Sequence, residues 1–435
     1  MTPAARIEAA ITLLTLCEET RRPADRVVRD FFKARRYAGS KDRRAVIGRF
    51  YAVVRHRARL QWWVERAAPD LAVTPRHWVI ADLVLGDNAQ PAADIEALFD
   101  GGKFSAAALT AEDRALVAHL EGQSLDHPDQ PRFVRLELPL ALSRVIGDSL
   151  GADIVRQMAA LNTDAPVDLR VNSLKTTREA ARALLGAADI EAAPTPLSPL
   201  GLRLAARPRL DDLPAYRDGL IEVQDEGAQV TALLTDARPG MTVIDYCAGA
   251  GGKTLALGAE MRAQGRLIAC DIDAERLKRM APRLKRAGLD GIEGVDLGPG
   301  PEAIAGLDGQ ADRVLVDAPC TGTGVWRRAP EARWRLRSED IARALERQRA
   351  VLDAAQALVK PGGRLIYVTC SLLKSENEDQ VMAFLDRHDD FILLPIANVW
   401  REVFDTPCPT NVYTLRLNSA DHGTDGFYCA VLQRD

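Results

Sequence analysis

Residues 241–273 read MTVIDYCAGAGGKTLALGAEMRAQGRLIACDID and contain two apolar runs, a glycine-rich turn and a helical segment. Further apolar runs follow in the segments GIEGVD, ADRVLVDAPC and GRLIYVTCS, with helical periodicity between them. Continuous apolar strands that alternate with helices indicate a parallel sheet covered on both faces. We therefore predict a doubly wound, Rossmann-like α/β domain over residues 226–435. In such a sheet the ligand lies beyond the carboxyl ends of the strands.

The first strand-to-helix turn of this domain predicts a cofactor site. Gly249, Gly251 and Gly252 would allow the backbone to approach a ligand closely and would leave the amide groups of the following helix free to bind it. Asp271 ends the next strand about 20 residues after the turn, where a carboxylate can accept hydrogen bonds from ribose hydroxyls. The segment lacks the GxxxxGK spacing of a P-loop. These residues alone leave a dinucleotide cofactor open.

Two other regions precede this domain. Residues 1–135 show helical periodicity and predict an all-helical domain. Their segment 21–60 is rich in arginine and lysine with interleaved aromatic residues, which fits either a phosphate-binding face or a solvated helix surface over an aromatic core. Residues 136–225 begin after a hinge of turn formers and have the pattern of two helices followed by strand, helix and strand. That pattern predicts linker helices and a small α/β subdomain.

Composition restricts the class of protein. The 435 residues are 47% hydrophobic and 27% charged, with a net charge of -4, which is typical of a globular protein. The seven cysteines are scattered without a CxxC pair and indicate reduced thiols in the cytoplasm. None of the six histidines clusters with cysteine, so we expect no metal site. No apolar run reaches the length of about 18 residues that a membrane span requires.

Cys320 and Cys370 each lie directly beyond an apolar run that we predict as a strand. Cysteine is often only a small core residue. Two thiols near the predicted cofactor turn, one of them close in sequence to Asp317, instead indicate nucleophilic chemistry. A thiolate that adds to carbon 6 of a pyrimidine turns carbon 5 into a nucleophile toward an electrophilic methyl group. Asp317 would stabilise the charge near ring N3, and the second thiol would help to remove the carbon 5 proton.

Several segments within residues 165–432 form an ordered set of motifs. They are LRVNSLKTT, VQDEGAQ, DYCAGAGGKT, ACDIDAERL, DRVLVDAPCTGTGVWRRAPEARWR, VTCSLLKSENEDQV and DGFYCAVL. The set resembles the Nop/Sun family of S-adenosylmethionine-dependent RNA (cytosine-5) methyltransferases. The resemblance implies that residues 226–435 form a methyltransferase domain and that residues 136–225 include a small RRM-like subdomain. It also implies S-adenosylmethionine as the cofactor and a covalent bond between a cysteine and carbon 6 of the cytosine.

The same resemblance implies roles for individual residues. Cys370 would be the nucleophile toward carbon 6, Cys320 would assist product release, and Asp317 would reach both the base and the cofactor. The residues implied to hold the cofactor are Cys247, Ala248, Gly249, Ala250, Gly251, Gly252, Lys253, Asp271, Arg276, Asp296 and Asp317. The family usually has proline where Ala250 stands.

The helical domain resembles the NusB-type RNA-binding domain of the bacterial small-subunit rRNA members of this family. The clearest likeness is GSKDRRAVIGRFYAVVRHR (39–57). This likeness implies that the substrate is rRNA of the 16S type, free or in a small-subunit particle. It also favours RNA contact by the basic segment 21–60.

Several side chains outside that segment are further candidates for RNA contact. Arg170, Arg327 and Arg328 would contact the RNA, with Arg333 as an additional phosphate contact. Trp326 would either stack on a base or pack beneath its loop.

Other functions remain open on the sequence alone. One is a tRNA (cytosine-5) methyltransferase with the same chemistry, and another is a catalytically idle RNA-binding factor for ribosome assembly. An NAD-dependent oxidoreductase fits the glycine turn but leaves both cysteines unexplained. We expect a cytoplasmic monomer with no DNA or membrane partner.

Overall fold

The computed structural model describes residues 1–20, 22–298, 300–410 and 412–435. The chain divides into two compact units. Unit 1 consists of residues 1–162 and 326–337, and unit 2 consists of residues 163–325 and 338–435. Arg21, the first residue of the basic segment, lies outside the described residues.

Unit 1 is helical, as predicted for the N-terminal region. Its helices are α1 (Pro3–Glu19), α2 (Ala24–Lys33), α3 (Ser40–Arg55), α4 (Arg57–Ala67), α5 (Pro75–Leu85), α6 (Ala92–Leu98), α7 (Ala111–Leu120), α8 (Arg132–Arg135), α9 (Leu140–Leu150), α10 (Ile154–Leu161) and α16 (Ala332–Arg335). Thr110 caps α7, because its hydroxyl accepts a hydrogen bond from the Asp113 amide while the Asp113 carboxylate accepts one from the Thr110 amide. The NusB-like assignment of these helices stays a prediction.

The basic segment contributes to both the core and the surface of unit 1. Phe31, Phe32 and Phe50 are buried in the apolar core, where each stabilises the fold by about 1.5–3 kcal/mol. The exposed cations of α2 and α3 are Arg26, Arg29, Lys33, Lys41 and Arg44. These three phenylalanines therefore belong to the core, whereas Tyr37 of the same segment is exposed. The exposed cations are the side chains to which we assigned RNA contact.

Unit 1 extends beyond the predicted boundary at residue 135, because α9, α10 and the segment 326–337 belong to it. The side chain of Arg333 attaches the segment 326–337 to the rest of unit 1. Its fully buried guanidinium donates hydrogen bonds to the carbonyls of Glu137 and Leu161 and to Oδ1 of Asn162. Helical periodicity is a local signal and does not reveal that a distant segment returns to the same core.

Unit 2 contains a small antiparallel sheet in the order β2-β3-β1-β4. Its strands are β1 (Val167–Val171), β2 (Ala192–Pro194), β3 (Gly201–Leu204) and β4 (Ile221–Val223), and its helices are α11 (Arg178–Gly186) and α12 (Pro214–Arg217). Leu169, Val171 and Leu202 form its core together with Leu185. The predicted succession of strand, helix and strand is therefore present.

The large sheet of unit 2 follows the order β10-β12-β9-β8-β5-β6-β7, with β11 paired to β12. The strands are β5 (Thr242–Asp245), β6 (Arg266–Asp271), β7 (Glu293–Asp296), β8 (Ala311–Asp317), β9 (Val359–Thr369), β10 (Phe391–Leu393), β11 (Leu415–Leu417) and β12 (Phe427–Arg434). The accompanying helices are α13 (Glu226–Leu233), α14 (Gly252–Glu260), α15 (Ala274–Ala287), α17 (Ser338–Ala355), α18 (Glu378–Leu385), α19 (Ile396–Val403) and α20 (Ser419–His422).

The prediction of a parallel sheet holds for β5 to β9 and is wrong beyond β9. Strand β12 pairs with β9 in the antiparallel direction, with Tyr428 opposite Thr369, and β10 and β11 are antiparallel to β12. The sheet is therefore mixed. The apolar run of β12 is buried along most of its length, and such a run looks the same in either direction.

The strand order brings the carboxyl ends of five parallel strands to one edge of the large sheet. The strands end at Asp245, Asp271, Asp296, Asp317 and Thr369. Cys370 directly follows Thr369, so four carboxylates and a thiol arrive at the edge where α/β sheets bind ligands.

Three further properties concern the described residues. None of the helices there is long and apolar enough to cross a membrane. No group of three or more His, Cys, Asp or Glu side chains is placed there to hold a metal ion. The cysteines carry free thiols.

Candidate active site

The glycine-rich turn between β5 and α14 has a backbone that requires glycine. Gly251 lies in the left-handed region with φ of 82° and precedes the first residue of α14. A Cβ atom there would lie 2.4 Å from Cγ of Met280. Any larger residue would therefore be strained and would also displace Met280.

Asp271 holds this turn in place. Its Oδ2 accepts a hydrogen bond of 2.8 Å from the Gly249 amide, and its Oδ1 accepts one of 2.8 Å from the Asp273 amide. Each carboxylate oxygen can accept a second hydrogen bond, so contact with a ribose stays compatible with these bonds. Asp271 thus has a structural task that the sequence did not predict.

A cavity of about 380 Å³ opens beside the turn, within the range of small-molecule sites. Its lining consists of Tyr246, Cys247, Asp271, Ile272, Arg276, Leu297, Asp317, Pro319, Ala350, Val351 and Ala354. Four of the predicted cofactor residues are among them. The alanines and Val351 belong to α17 and were missed, because no local motif links that helix to the glycine turn.

The other predicted cofactor residues lie around this cavity. Residues 248–253 form the turn and the start of α14. Asp296 ends β7 in register with Asp271 at the end of β6. Its Oδ1 accepts a hydrogen bond of 2.8 Å from the Gly298 amide, and the residue is exposed.

Lys253 and Asp317 form an ion pair at the centre of the site, with 2.7 Å between Nζ and Oδ2. Lys253 is buried, and burial acts to lower its pKa. The attraction of the Asp317 carboxylate and the hydrogen bond to it outweigh burial, so that the pKa of Lys253 is raised above its ordinary value. The ammonium group also lies 5.3 Å from the ring centroid of Phe427. Lys253 therefore carries its positive charge next to Asp317.

Asp245 is a buried carboxylate beneath the glycine turn that the sequence analysis did not single out. Its Oδ2 accepts a hydrogen bond of 2.7 Å from the Thr254 hydroxyl, and its Oδ1 has no partner. Burial raises its pKa to about 7, the Thr254 hydrogen bond acts in the opposite direction, and the negative charge of Asp317 adds to the increase. Asp245 ends the apolar run that forms β5, and this position is the sequence signal by which it could have been predicted as a site residue.

The two cysteines of the sequence analysis come together in the structure. Their Sγ atoms lie 3.4 Å apart, so either thiol can donate a hydrogen bond to the other. The pKa of Cys320 is raised well above its ordinary value, first by the hydrogen bond with Cys370 and then by burial, with the negative charge of Glu376 as a smaller cause. Cys320 is therefore protonated near neutral pH.

A close contact between two loops holds the thiols side by side. The Gly324 amide donates a hydrogen bond of 2.9 Å to the Cys370 carbonyl. A Cβ at position 324 would lie 2.8 Å from that carbonyl oxygen and 2.4 Å from the carbonyl oxygen of Gly426. Glycine is therefore required for the loop that carries Cys320 to approach the loop that carries Cys370.

Arg170, which we predicted to contact RNA, has a structural task in unit 2. Its buried guanidinium donates hydrogen bonds of 2.6 Å to Oε1 of Gln224 and 2.8 Å to the Gly252 carbonyl. Burial lowers its pKa to about 10. Arg170 therefore fixes the first turn of α14 from the small sheet.

The other candidates for RNA contact lie in unit 1. Arg327 is buried and Arg328 is exposed. Arg333 and Trp326 are both fully buried. For Trp326 this favours the predicted alternative of packing beneath its loop, and the phosphate contact of Arg333 stays a prediction. RNA contact by Arg170, Arg327 and Arg328 stays a prediction, with Arg328 the one of the three that is exposed.

Family models match two parts of the chain. Residues 232–433 match the model described as 16S rRNA methyltransferase RsmB/F. Residues 142–211 match the ferredoxin-like domain of RsmF/B-like methyltransferases. The second match confirms the small α/β subdomain and identifies it as ferredoxin-like.

Curated relatives show the same similarity. The chain is 35% identical over 362 residues to ribosomal RNA small subunit methyltransferase B of Sodalis glossinidius, a match that covers 83% of this chain and 78% of that protein. It is 37% identical over 277 residues to the protein of the same name from Salmonella typhi. That match covers 64% of this chain and 62% of the Salmonella protein, so the alignment spans about three fifths of this relative's length.

Solved structures are similar as well. The structure of PH0851 has a TM-score of 0.79 at 27% identity and covers 100% of this chain and 99% of that chain. A methyltransferase homolog protein from Pyrococcus horikoshii has a TM-score of 0.59 at 28% identity and covers 70% of this chain and 97% of that chain. NSun6 from Pyrococcus horikoshii, solved with SFG, has a TM-score of 0.59 at 21% identity, with 68% of this chain and 98% of that chain covered, and shows the fold alone.

Proposed function

The chain belongs to the 16S rRNA methyltransferase RsmB/F family, and from this premise we propose that it transfers a methyl group from S-adenosylmethionine to carbon 5 of a cytosine in 16S rRNA. The observation that carries the proposal is the 3.4 Å separation of the Cys320 and Cys370 sulfur atoms. The two thiols lie beyond neighbouring strands, β8 and β9, at the edge of the sheet that also bears the cavity.

The residues around the cavity fit S-adenosylmethionine. The carboxylates of Asp271 and Asp317 are suited to ribose hydroxyls and to a positively charged sulfonium group. The apolar side chains of Ile272 and Leu297 are suited to the faces of an adenine ring. When bound, S-adenosylmethionine supplies an electrophilic methyl group.

Cys370 would act as the nucleophile on the base. Its thiolate forms a bond to carbon 6, and the electron pair of the ring double bond moves toward N3. Asp317, on taking up a proton from the Lys253 ammonium paired with it, would act as the acid that passes this proton to N3 and so neutralises the negative charge there. The addition gives carbon 5 the nucleophilic character that it needs to take up the methyl group.

Cys320 would act after methyl transfer. Carbon 5 then carries both a methyl group and a proton, and loss of that proton allows the bond between Cys370 and carbon 6 to break. The Cys320 sulfur lies next to that of Cys370 and so close to the reacting carbons. Once Cys370 is bonded to carbon 6, the Cys320 thiol would first lose its own proton to solvent. Its thiolate would then take up the carbon 5 proton as the bond to carbon 6 breaks and Cys370 leaves as a thiolate.

Carbon 6 is attacked from the face of the ring, so the target cytosine must be single-stranded or flipped out of its stack. The exposed cations of α2 and α3 provide a phosphate-binding surface in unit 1. We assign the activity to a monomer in the cytoplasm.

Bisulfite sequencing of total RNA from cells with and without this gene tests the proposal. We expect one 5-methylcytosine to disappear from the small-subunit rRNA. Loss of a tRNA site with unchanged rRNA would favour the tRNA methyltransferase and keep the mechanism. If no 5-methylcytosine were lost, an idle RNA-binding assembly factor would replace the enzyme as the leading function.

A further inference from the structure

Glu376 is a buried carboxylate in the loop that follows Cys370. The residue is fully buried and lies at the end of the 3₁₀ turn Lys374–Glu376. It belongs to the segment VTCSLLKSENEDQV, and its negative charge lies near Cys320. A buried carboxylate is unfavourable unless several donors satisfy it.

Both oxygens of Glu376 are saturated by donors. Its Oε1 accepts hydrogen bonds of 2.9 Å from the Thr321 amide and 2.8 Å from Nε2 of Gln348. Its Oε2 accepts hydrogen bonds from the hydroxyls of Thr321, at 2.5 Å, and Ser371. Thr321 directly follows Cys320, and Ser371 directly follows Cys370. One carboxylate thus binds the residue after each cysteine.

We propose that Glu376 is the positioning residue that sets the separation of Cys320 and Cys370, by binding the loops of both thiols with one carboxylate. The inference rests on the proposed function, because the two cysteines have their roles only there. Glu376 does not touch substrate or cofactor in this scheme. It acts through Thr321 and Ser371.

The residues on the other side of each cysteine are held by neighbours of Glu376. Gln348, which binds Glu376, also donates a hydrogen bond of 3.1 Å to the carbonyl of Pro319, the residue before Cys320. Asn377, which follows Glu376, accepts a hydrogen bond of 2.5 Å from the hydroxyl of Thr369, the residue before Cys370. Each cysteine is therefore fixed on both sides by one connected set of hydrogen bonds.

A carboxylate suits this position better than an amide. The Thr321 amide and the Gln348 side-chain amide can only donate toward Glu376, whereas the hydroxyls of Thr321 and Ser371 can rotate to accept. Glutamine at 376 would keep its carbonyl toward the two amides and turn both hydroxyls around. We therefore expect Glu376→Gln to keep much of the geometry and Glu376→Ala to lose it.

The first experiment compares three variants of the full chain: Glu376→Ala, Glu376→Gln and the control Asp379→Asn, an exposed carboxylate on α18. The readouts are single-turnover methyl transfer to small-subunit rRNA and calorimetric affinity for S-adenosylmethionine. We expect Glu376→Ala to transfer the methyl group about 100-fold more slowly, the scale of a 1 Å misplacement. Glu376→Gln should lose about tenfold or less, and cofactor affinity should stay within about threefold in all variants. A folded Glu376→Ala protein with transfer within about threefold of the parent would overturn the proposal.

The second experiment needs no catalytic activity. A trivalent arsenical such as phenylarsine oxide binds tightly where two thiols are held side by side, because a preorganised pair loses little entropy on binding. We expect the parent chain to capture one equivalent through Cys320 and Cys370, and Cys320→Ala to lose this capture. Glu376→Ala should bind the arsenical at least about tenfold more weakly, and Glu376→Gln should lie between the two.

The arsenical separates failure of this proposal from failure of the proposed function. If the Glu376 variants bind the arsenical more weakly but the parent chain methylates no RNA, the positioning role is supported and the proposed methyltransferase activity is refuted. Unweakened capture in both Glu376 variants would refute the positioning role, whatever the enzyme does. If Glu376→Ala does not fold, Glu376→Asp takes its place, because it keeps the charge but shortens the side chain by one methylene so that the carboxylate cannot reach both loops. Unweakened arsenical capture in Glu376→Asp would then refute the positioning role.

Discussion

Lys253 and Asp317 form an ion pair of 2.7 Å between the first turn of α14 and the end of β8. Lys253 belongs to the glycine-rich turn that we assign to the cofactor, and Asp317 lies both in the wall of the cavity and three residues before Cys320. The pair therefore links the methyl donor site to the thiol site, and a change in either member should affect transfer more than binding.

Replacement of Lys253 tests this link. Lys253→Met leaves the Asp317 carboxylate without its cation, and hydrogen bonds to charged groups contribute about 1.5–3 kcal/mol. We expect methyl transfer to fall by about tenfold or more, with a smaller effect on affinity for S-adenosylmethionine. The control is Lys278→Met, which removes an exposed ion pair with Glu275 and should leave both quantities unchanged. Equal loss in the two variants would contradict the role of Lys253.

The assignment of the nucleophile is tested by Cys370→Ala. This variant should transfer no methyl group, because no bond to carbon 6 can form, and should bind S-adenosylmethionine with unchanged affinity. Filter assays of tritiated methyl transfer and calorimetry measure the two quantities. Cys408→Ala, which changes a half-buried cysteine elsewhere in unit 2, serves as the control. Substantial residual transfer in Cys370→Ala would assign the nucleophile to another group.

Replacement of Cys320 should have a different result from that of Cys370. In Cys320→Ala the bond between Cys370 and carbon 6 can still form, but its elimination is slowed. We expect a covalent protein–RNA adduct that survives denaturing gel electrophoresis. The double variant Cys320→Ala, Cys370→Ala should give no adduct. An adduct in Cys370→Ala instead of Cys320→Ala would mean that the two roles are reversed.

Asp271→Ala should weaken cofactor binding. The change removes the acceptor of the Gly249 amide and the predicted acceptor of the ribose hydroxyls. The expected loss of about 1.5–3 kcal/mol corresponds to about a tenfold to hundredfold increase in Kd for S-adenosylmethionine. Asp308→Ala, at an exposed aspartate of the same unit, is the matched control. An unchanged Kd would place the ribose elsewhere.

Asp245 should make the stability of the protein depend on pH. Its pKa is about 7 in the folded state and 3.8 as an ordinary carboxyl, so the folded state binds the proton more tightly than the unfolded state. The stability associated with this proton is present below pH 3.8 and is lost as the pH rises toward about 7. Asp245→Asn has no such proton. Urea titrations at pH 5 and pH 8 measure the free energy of unfolding. Between pH 5 and pH 8 this free energy should decrease less for Asp245→Asn than for the parent protein.

The sequence was sufficient to predict the parts of the site that local patterns determine. Asp271 and Asp317 each end an apolar run, and the glycines lie between a run and a helix, so their place at the carboxyl edge follows from the fold class. The proximity of Cys320 and Cys370 follows in the same way, since β8 and β9 are neighbours.

Contacts between residues that are far apart in the chain could not be predicted from the sequence. Glu376 and Gln348 lie 28 residues apart and share hydrogen bonds, but neither stands in a local pattern that indicates a partner. Arg170 was predicted to contact RNA because its segment LRVNSLKTT belongs to the predicted RRM-like subdomain. Its burial depends on Gln224 and Gly252, which are far away in the chain. The antiparallel course of β12 was missed because a buried strand has the same apolar run in both directions.

The chain passes between the two compact units at residues 162–163, 325–326 and 337–338, so the units are interleaved in the sequence. A fragment that starts at Thr163 would retain Trp326 and Arg333 but lack the Glu137, Leu161 and Asn162 groups that bind Arg333. Such a fragment would present a buried arginine and a buried tryptophan to water and should aggregate. A fragment that consists of one complete unit and no part of the other therefore cannot be obtained by a single cut of the chain.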